Sequence, residues 1–383
     1  MKILLYKCED ELAPVGGPFG YLYNVKKYRD EIGDNEILFK KNVWKYNKNF
    51  FDKIIGRLEF PHSAHARHIY SIFKKKVPNM LTEFNNYDIV HFHTTEDMFR
   101  ERENLKSYNG LVVLTSHSPK VTYKEYIEDI ITEQEYSMYK NLFDSAEQID
   151  EYAFKRADYI FFPCMGAEEP YYHSWPKYNL LRDESKIRYV PTGIVPVACK
   201  KSREEVRKEL NIPEDAILLS FVGRHNEVKG YDILQSIFSK LENIFIVCCG
   251  NVGSIHPPKS DRWIEIGWTA DPYSYVGASD IYMLPNRETY FDIAMLQTLS
   301  IGKCSVISNT GGNKEFINTP GVKLFDTVDE AVNSVNYFIN MKKDDRSTLE
   351  SYQRGEFKEK YNIDVFYKTY KKTLNELLGK DDE

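Results

Sequence analysis

Residues 217 to 234 read ILLSFVGRHNEVKGYDIL: an apolar run, a short polar loop and the start of a helix, in that order. The run ILLSFVG lacks polar alternation, as expected of a strand buried on both faces of a parallel sheet. In the continuation YDILQSIFSKLEN, Ile233, Leu234, Ile237, Phe238 and Leu241 share one face at helical spacing. Strand, loop and helix form half of a βαβ unit, and the chemistry of such units sits on the loop after the strand.

The same rhythm runs outward from this stretch. Upstream strand candidates are KILLY (2 to 6), EILF (36 to 39), DIVHFH (88 to 93), LVVLTSH (111 to 117), DYIFFP (158 to 163) and IRYVP (187 to 191). Downstream come IFIVCCG (244 to 250), WIEIGW (263 to 268), DIYMLP (280 to 285) and CSVISN (304 to 309). Residues 122 to 156 are charged, contain neither Gly nor Pro, and are expected to be one long helix-forming stretch. The segment VPTGIVPVACKKSREEVRKELNIPEDA interrupts the series with three prolines and a glycine, then opens a capped helix near Ser202.

A domain boundary is therefore expected near residue 197, giving domains 1–197 and 198–364. The terminal helix, about 365–383, is expected to pack back on the first. A chain of 383 residues suits two cores of this size. The expected architecture is α/β: two Rossmann-like, doubly wound parallel-sheet domains facing a central cleft lined by the carboxyl ends of the strands.

Composition narrows the class. Apolar residues at 42%, charged residues at 28% and 28 tyrosines describe a soluble, aromatic-rich globular protein rather than a disordered one. MKILLYKC reads as a first strand and not as a leader peptide, and no window approaches the roughly 18 apolar residues of a membrane span. Six cysteines without metal-ligand spacing, mostly in strand-like runs, are expected to be reduced packing residues of a cytoplasmic protein. The net charge is −6, yet residues 40 to 80 hold ten Lys or Arg against two acids, interleaved with aromatics. This segment is either an ordinary helix pair with a solvated basic face or a surface for anionic lipid, an anionic acceptor or nucleic acid.

Several loops carry candidate chemistry. After the first strand, APVGGPFGYLYNV places Gly16, Gly17 and Gly20 at a turn entering a helix, where amides suit an anion; the spacing is not the dinucleotide fingerprint. LTSHSPK puts His117 at the carboxyl end of a strand, placed to bond a substrate hydroxyl or to serve structure alone. His91 and His93 alternate onto one face without a third ligand, which argues against a metal. In GRHNEVKG, Arg224 directly follows the strand-ending Gly223, and Lys229 precedes Gly230. Two cations so placed could grip a diphosphate and stabilise a leaving group.

GRHNEVKG resembles the GRxxxxKG element of glycosyltransferase family 4, and other pieces follow in that family's order: GGPFGYL, TSHSP, ADYIFFPC, VPTGI, ASDIYMLPNRE and SNTGGNKEFI. The resemblance covers nearly the whole chain. It implies the GT-B fold and a retaining, metal-independent transfer of a sugar from a nucleotide diphosphate sugar, with no cofactor. By carry-over, Arg224 and Lys229 hold the diphosphate, His117 contacts the donor sugar, Gly16 and Gly17 border the phosphates or acceptor, and Ile266 holds the base through its backbone.

The stretch RETYFDIAMLQTLSIGK, residues 287 to 303, departs from the family pattern of two glutamates eight residues apart. Gln297 occupies the second position, and either Glu288 or Thr289 the first. A Gln amide oxygen still accepts from a ribose hydroxyl, without the strength of a charged acceptor. The amides of Tyr290, Phe291 and Asp292 are expected to open the helix that runs to Gly302 and to face sugar or phosphate, and the Asp292 carboxylate is a third candidate for the sugar.

The reading that results is a retaining hexosyltransferase using a nucleotide-sugar donor, expected to be a UDP-sugar, and a glycan, lipid-linked or protein acceptor in cell-surface polysaccharide, glycolipid or glycoprotein assembly. It is expected in the cytoplasm, with peripheral membrane association through residues 40–80 and no nucleic acid partner. The competing readings are a catalytically degenerate GT-B protein that binds a partner glycosyltransferase, motivated by Gln297, and a nucleotide-sugar epimerase.

Overall fold

The computed structural model describes residues 1–7, 12, 17–39, 50–74 and 81–380. Gly16, Cys8 and much of the basic segment (40–49 and 75–80) lie outside the described residues. The chain divides into two compact units: residues 1–163, 168–190 and 371–383 form the first, and residues 164–167 and 191–370 the second. The units thus change over at Val190 and Pro191, ahead of the position expected from the proline-rich break. The last helix, Ile363–Leu377, gives its residues from Lys371 onward to the first unit, where Lys371 Nζ donates to Asp34 Oδ2 at 2.8 Å.

The first unit is a six-stranded sheet of β1 (Ile3–Tyr6), β2 (Ile37–Phe39), β3 (Ile89–Phe92), β4 (Leu111–Leu114), β5 (Tyr159–Phe162) and β6 (Ile187–Tyr189). The order is β2-β1-β3-β4-β5-β6, and every pairing is parallel. The strand order reverses between β1 and β3, which makes the sheet doubly wound.

The second unit is a six-stranded sheet of β7 (Ile217–Val222), β8 (Ile244–Cys249), β9 (Trp263–Gly267), β10 (Ile281–Leu284), β11 (Ser305–Ser308) and β12 (Val322–Phe325). Its order is β12-β11-β10-β7-β8-β9, again all parallel, with the reversal between β7 and β10. Alternate residues of the central strands enter two different cores. Leu219, Phe221, Ile246 and Cys248 pack with Leu234, Ile237 and Phe238, while Leu218, Val247 and Cys249 pack with Val206, Ile212 and Tyr275. Both faces are therefore covered, and this explains the unbroken apolar runs read from the sequence.

Three local expectations are corrected. Residues 122–156 are broken into short helices and a π-helical turn, Tyr126–Ile130, because Ile131 is extended and the Thr132 side chain accepts from Glu135 N to start a new helix. The strand β12, between Gly321 and Asp326, went unread in the sequence. The helix expected to open near Tyr290 instead spans Ile293–Ile301, with Asp292 as its N-cap. The helix start at Ser202 is confirmed, with a reciprocal capping box to Glu205.

Candidate functional site

In open parallel sheets, ligands bind beyond the carboxyl ends of the strands where the strand order reverses. In the second unit that rule points to the loops after β7 and β10, which contain Arg224–Gly230 and Pro285–Asp292. They meet directly. Lys229 Nζ lies 2.5 Å from Asp292 Oδ2, Asn286 Nδ2 donates to the same oxygen at 2.9 Å, and Arg287 N donates to Val228 O at 3.0 Å. At its other end, Arg287 forks onto the Asp232 carboxylate with one bond of 2.7 Å.

The close approach depends on Gly230. It has φ +63, and a Cβ there would stand 1.8 Å from Pro285 O, so only glycine fits. Asn226 shapes the loop from within: its side-chain oxygen accepts from Lys229 N at 3.0 Å and its carbonyl from Tyr231 N at 3.2 Å. Arg224 is exposed. His225 beside it is fully buried, with its ring flat on that of Tyr231 at 4.0 Å and 7°. Gly223 N donates to Cys249 O at 3.0 Å, which closes the end of β7 onto β8.

Asp292 is tightly held. Burial pushes its carboxyl up, but Lys229, Asn286 and Ala294 N outweigh that and keep it below the ordinary carboxylate range. Its oxygens are therefore committed to Lys229, to Asn286 and to the cap bond from Ala294 N at 3.0 Å. Tyr290 and Phe291 precede the helix rather than belong to it, and Phe291 stacks on Phe316 at 5.6 Å.

Thr289 is buried, and its carbonyl accepts from Gly312 N at 3.1 Å; Glu288 is only half-buried. A Cβ on Gly311 would come within 2.1 Å of Thr289 O, and one on Gly312 within 2.1 Å of Tyr290 O. The turn SNTGGNKEF therefore clamps this segment from the β11 side. Gln297 lies in the helix Ile293–Ile301, and its Oε1 accepts from the Tyr273 hydroxyl. Ile266 stands at a bulge: Cys248 pairs with Glu265 and Cys249 with Gly267, so the register skips Ile266.

In the first unit, the helix Gly17–Ile32 begins beside His117, since a methyl group on Gly17 would lie 3.7 Å from His117 O. His117 has φ +60, an uncommon conformation for a residue other than glycine. Its Nε2 and His93 Nδ1 are 2.9 Å apart, and the His91, His93 and His117 rings form a stack with Tyr21 packed against the last two. His91 Nε2 reaches Thr115 Oγ1 at 2.8 Å. Burial drives all three imidazoles down, His117 to about 3, with the Lys7 charge adding to the effect on His93 and His117. They are neutral at physiological pH. Beyond them, the buried Asp150 accepts from Tyr123 N at 3.0 Å and Thr122 N at 3.3 Å, which anchors the segment that follows His117.

The structure thus brings Lys229, Asp292 and the loop of Arg224 together in one unit, and Gly17 with His117 in the other. Asn226, Asn286 and Tyr273 carry no site assignment from the sequence, and His93 is weighed there only as a metal ligand. Asn226 had a signal, an Asn opening a tight loop before a helix; the others act through partners distant in sequence.

Residues 216–340 match the family described as Glycosyl transferases group 1. The O-antigen biosynthesis glycosyltransferase WclY of Escherichia coli is 25% identical over 134 residues, which are 33% of this chain and 38% of WclY. The match thus spans well under half the length of that relative. HepE from Anabaena, solved in complex with UDP, superposes with TM-score 0.65 at 14% identity over 98% of this chain and 100% of HepE. WaaG, a glycosyltransferase involved in lipopolysaccharide biosynthesis, gives TM-score 0.63 at 14% identity over 98% of this chain and 100% of WaaG. The chain has the GT-B fold, and its second unit carries the segment that matches the group 1 glycosyltransferases.

Proposed function

We propose that this protein is a retaining glycosyltransferase that moves a sugar from a UDP-sugar to an acceptor hydroxyl. The observation that carries the proposal is the junction of the loops after β7 and β10, where Lys229 is held by Asp292 beside the exposed Arg224. In this reading, Arg224 and the remaining ammonium hydrogens of Lys229 bind the diphosphate and stabilise its charge as the sugar departs. These two cations take the part of a divalent ion, so the transfer runs without a metal or cofactor. Glu288, less buried than Thr289, faces the donor sugar; His117, neutral, bonds a sugar hydroxyl; the backbone of Ile266, outside the ladder register, meets the base. The acceptor hydroxyl attacks from the face the diphosphate leaves, and catalysis rests on positioning and electrostatics.

The acceptor belongs to cell-surface glycan assembly and is presented near a membrane. Supporting this, the helix Phe50–Glu59 in the basic segment exposes Ile54, Ile55 and Leu58, the last at 76%. Among the described residues no helix is long and apolar enough to cross a membrane, so association would be peripheral. Vesicles with anionic lipid should bind the protein at low salt and release it at high salt; binding to neutral vesicles alone would remove the electrostatic part of this account.

The experiment for the enzyme reading is release of UDP from UDP-sugars by the purified protein without acceptor. Slow hydrolysis, lost in Lys229→Ala, is expected. A protein that binds UDP but never hydrolyses its sugars would instead be the degenerate, partner-binding form that Gln297 raised.

A further inference from the structure

Gln297 is where the chain departs most from the two-glutamate pattern, and its surroundings give the substitution a consequence. The Tyr273 hydroxyl donates to Gln297 Oε1. Tyr273 sits in the first turn of the helix Pro272–Ala278, whose start is fixed by Asp271: the Asp271 side chain accepts from Ser274 N at 3.3 Å and from Ser274 Oγ at 2.6 Å. Ser274 Oγ in turn accepts from Lys201 N at 2.9 Å, and Tyr273 O accepts from Cys199 Sγ at 3.1 Å. The tyrosine is therefore held by a rigid first turn. Burial, reinforced by the Asp292 charge, raises its hydroxyl far above the ordinary phenol range, so it stays protonated and able to donate.

A carboxylate has only acceptors, whereas a primary amide has one carbonyl oxygen and two N–H donors. With Tyr273 on one lone pair of the carbonyl oxygen of the half-buried Gln297, that oxygen is turned towards the tyrosine and the NH2 away from it. We propose that Tyr273 is a positioning residue that turns the Gln297 amide so that it meets the donor ribose as a hydrogen-bond donor, with the ribose hydroxyl oxygens accepting. This rests on the nucleotide-sugar reading above and goes beyond it: polarity at this position is reversed relative to a glutamate, and the reversal is set by a residue on a neighbouring helix. A ribose hydroxyl both donates and accepts, so the nucleotide is retained while the direction of the bond changes.

The test compares affinities of the purified protein for UDP, 2′-deoxy-UDP and 3′-deoxy-UDP. Wild type should bind UDP more tightly than at least one deoxy analogue by about two- to tenfold, the span of a neutral hydrogen bond. Tyr273→Phe, which keeps the ring, should remain folded by thermal melting and bind UDP, but the ratio should fall towards one. Gln297→Met should collapse the ratio to the same extent, and the double variant should add nothing. An unchanged ratio in Tyr273→Phe alongside discrimination in wild type overturns the role of Tyr273. Equal affinity of wild type for all three nucleotides overturns the ribose contact of Gln297. Absence of any UDP binding overturns the UDP-sugar reading itself, a result distinct from the other two.

Discussion

The ammonium of Lys229 and the carboxylate of Asp292 are 63 residues apart in sequence and 2.5 Å apart in space, joining the two loops at the strand-order reversal of the second sheet. Asp292 also caps the helix Ile293–Ile301, so one side chain fixes a cation and starts a helix.

Removing either partner should separate those duties. Lys229→Ala should cost about 10²–10³ in turnover, the effect of losing one preorganised charge-stabilising donor, and should lower the melting temperature, because the buried Asp292 carboxylate loses the ammonium that offsets its burial. Asp292→Asn preserves the cap, since the two residues serve equally there, yet leaves Lys229 without its counter-charge; weaker donor binding in a folded protein is expected from steady-state kinetics. The pH dependence follows from the depressed Asp292 carboxyl. Its contribution is present above the unfolded value of about 3.9 and is lost as pH falls through the lower folded value, so Asp292→Asn should melt with a shallower dependence on pH in that acid range.

His117 should not titrate between pH 5 and 8, because burial lowers its imidazole to about 3, and burial also depresses the stacked His91 and His93. The carbon-bound ring proton shifts of His117 should stay constant over that interval. The linkage sign is that stability falls with acidity below about 6.5, where the unfolded rings take up protons that the folded ones refuse. A His117 ring titrating with a midpoint near 6.5 would contradict the buried stack, and an activity limb tracking it would assign the ring an acid–base role.

Gly230→Ala should damage both fold and site. The φ of +63 alone is unfavourable for alanine by about 1–3 kcal/mol, and a Cβ at 1.8 Å from Pro285 O forces the β7 and β10 loops apart. The melting temperature should fall by about 2–4 °C per kcal/mol, and nucleotide affinity should fall with it. Alanine tolerated at this position with unchanged affinity would mean that the contact between the loops is dispensable.

Much of this was legible in the sequence because buried parallel strands are continuous apolar runs. ILLSFVG and IFIVCCG contribute alternate residues to two cores, and their one polar side chain, Ser220, is itself buried. The loops after such strands then locate Arg224, Lys229 and His117 without knowledge of their partners. The strand Val322–Phe325 was harder, since it is short and carries the exposed Lys323. The break at Thr132 was missed because a threonine that caps a helix is indistinguishable by propensity from one inside it until its side chain is seen to accept from Glu135 N. Asn286 on Asp292 and Tyr273 on Gln297 are side-chain pairings made by the fold, and neither has a local signature.

The most direct test of the central claim is a thermal-shift titration of wild type, Arg224→Ala and Lys229→Ala with UDP-, GDP- and ADP-sugars. A UDP-sugar at a hundredfold its dissociation constant should stabilise wild type by about 2.7 kcal/mol, with the shift reduced or lost in both variants and absent for the other two bases. A wild-type protein that no nucleotide sugar stabilises, or one stabilised equally after both cations are removed, would contradict a diphosphate site at the junction of the β7 and β10 loops.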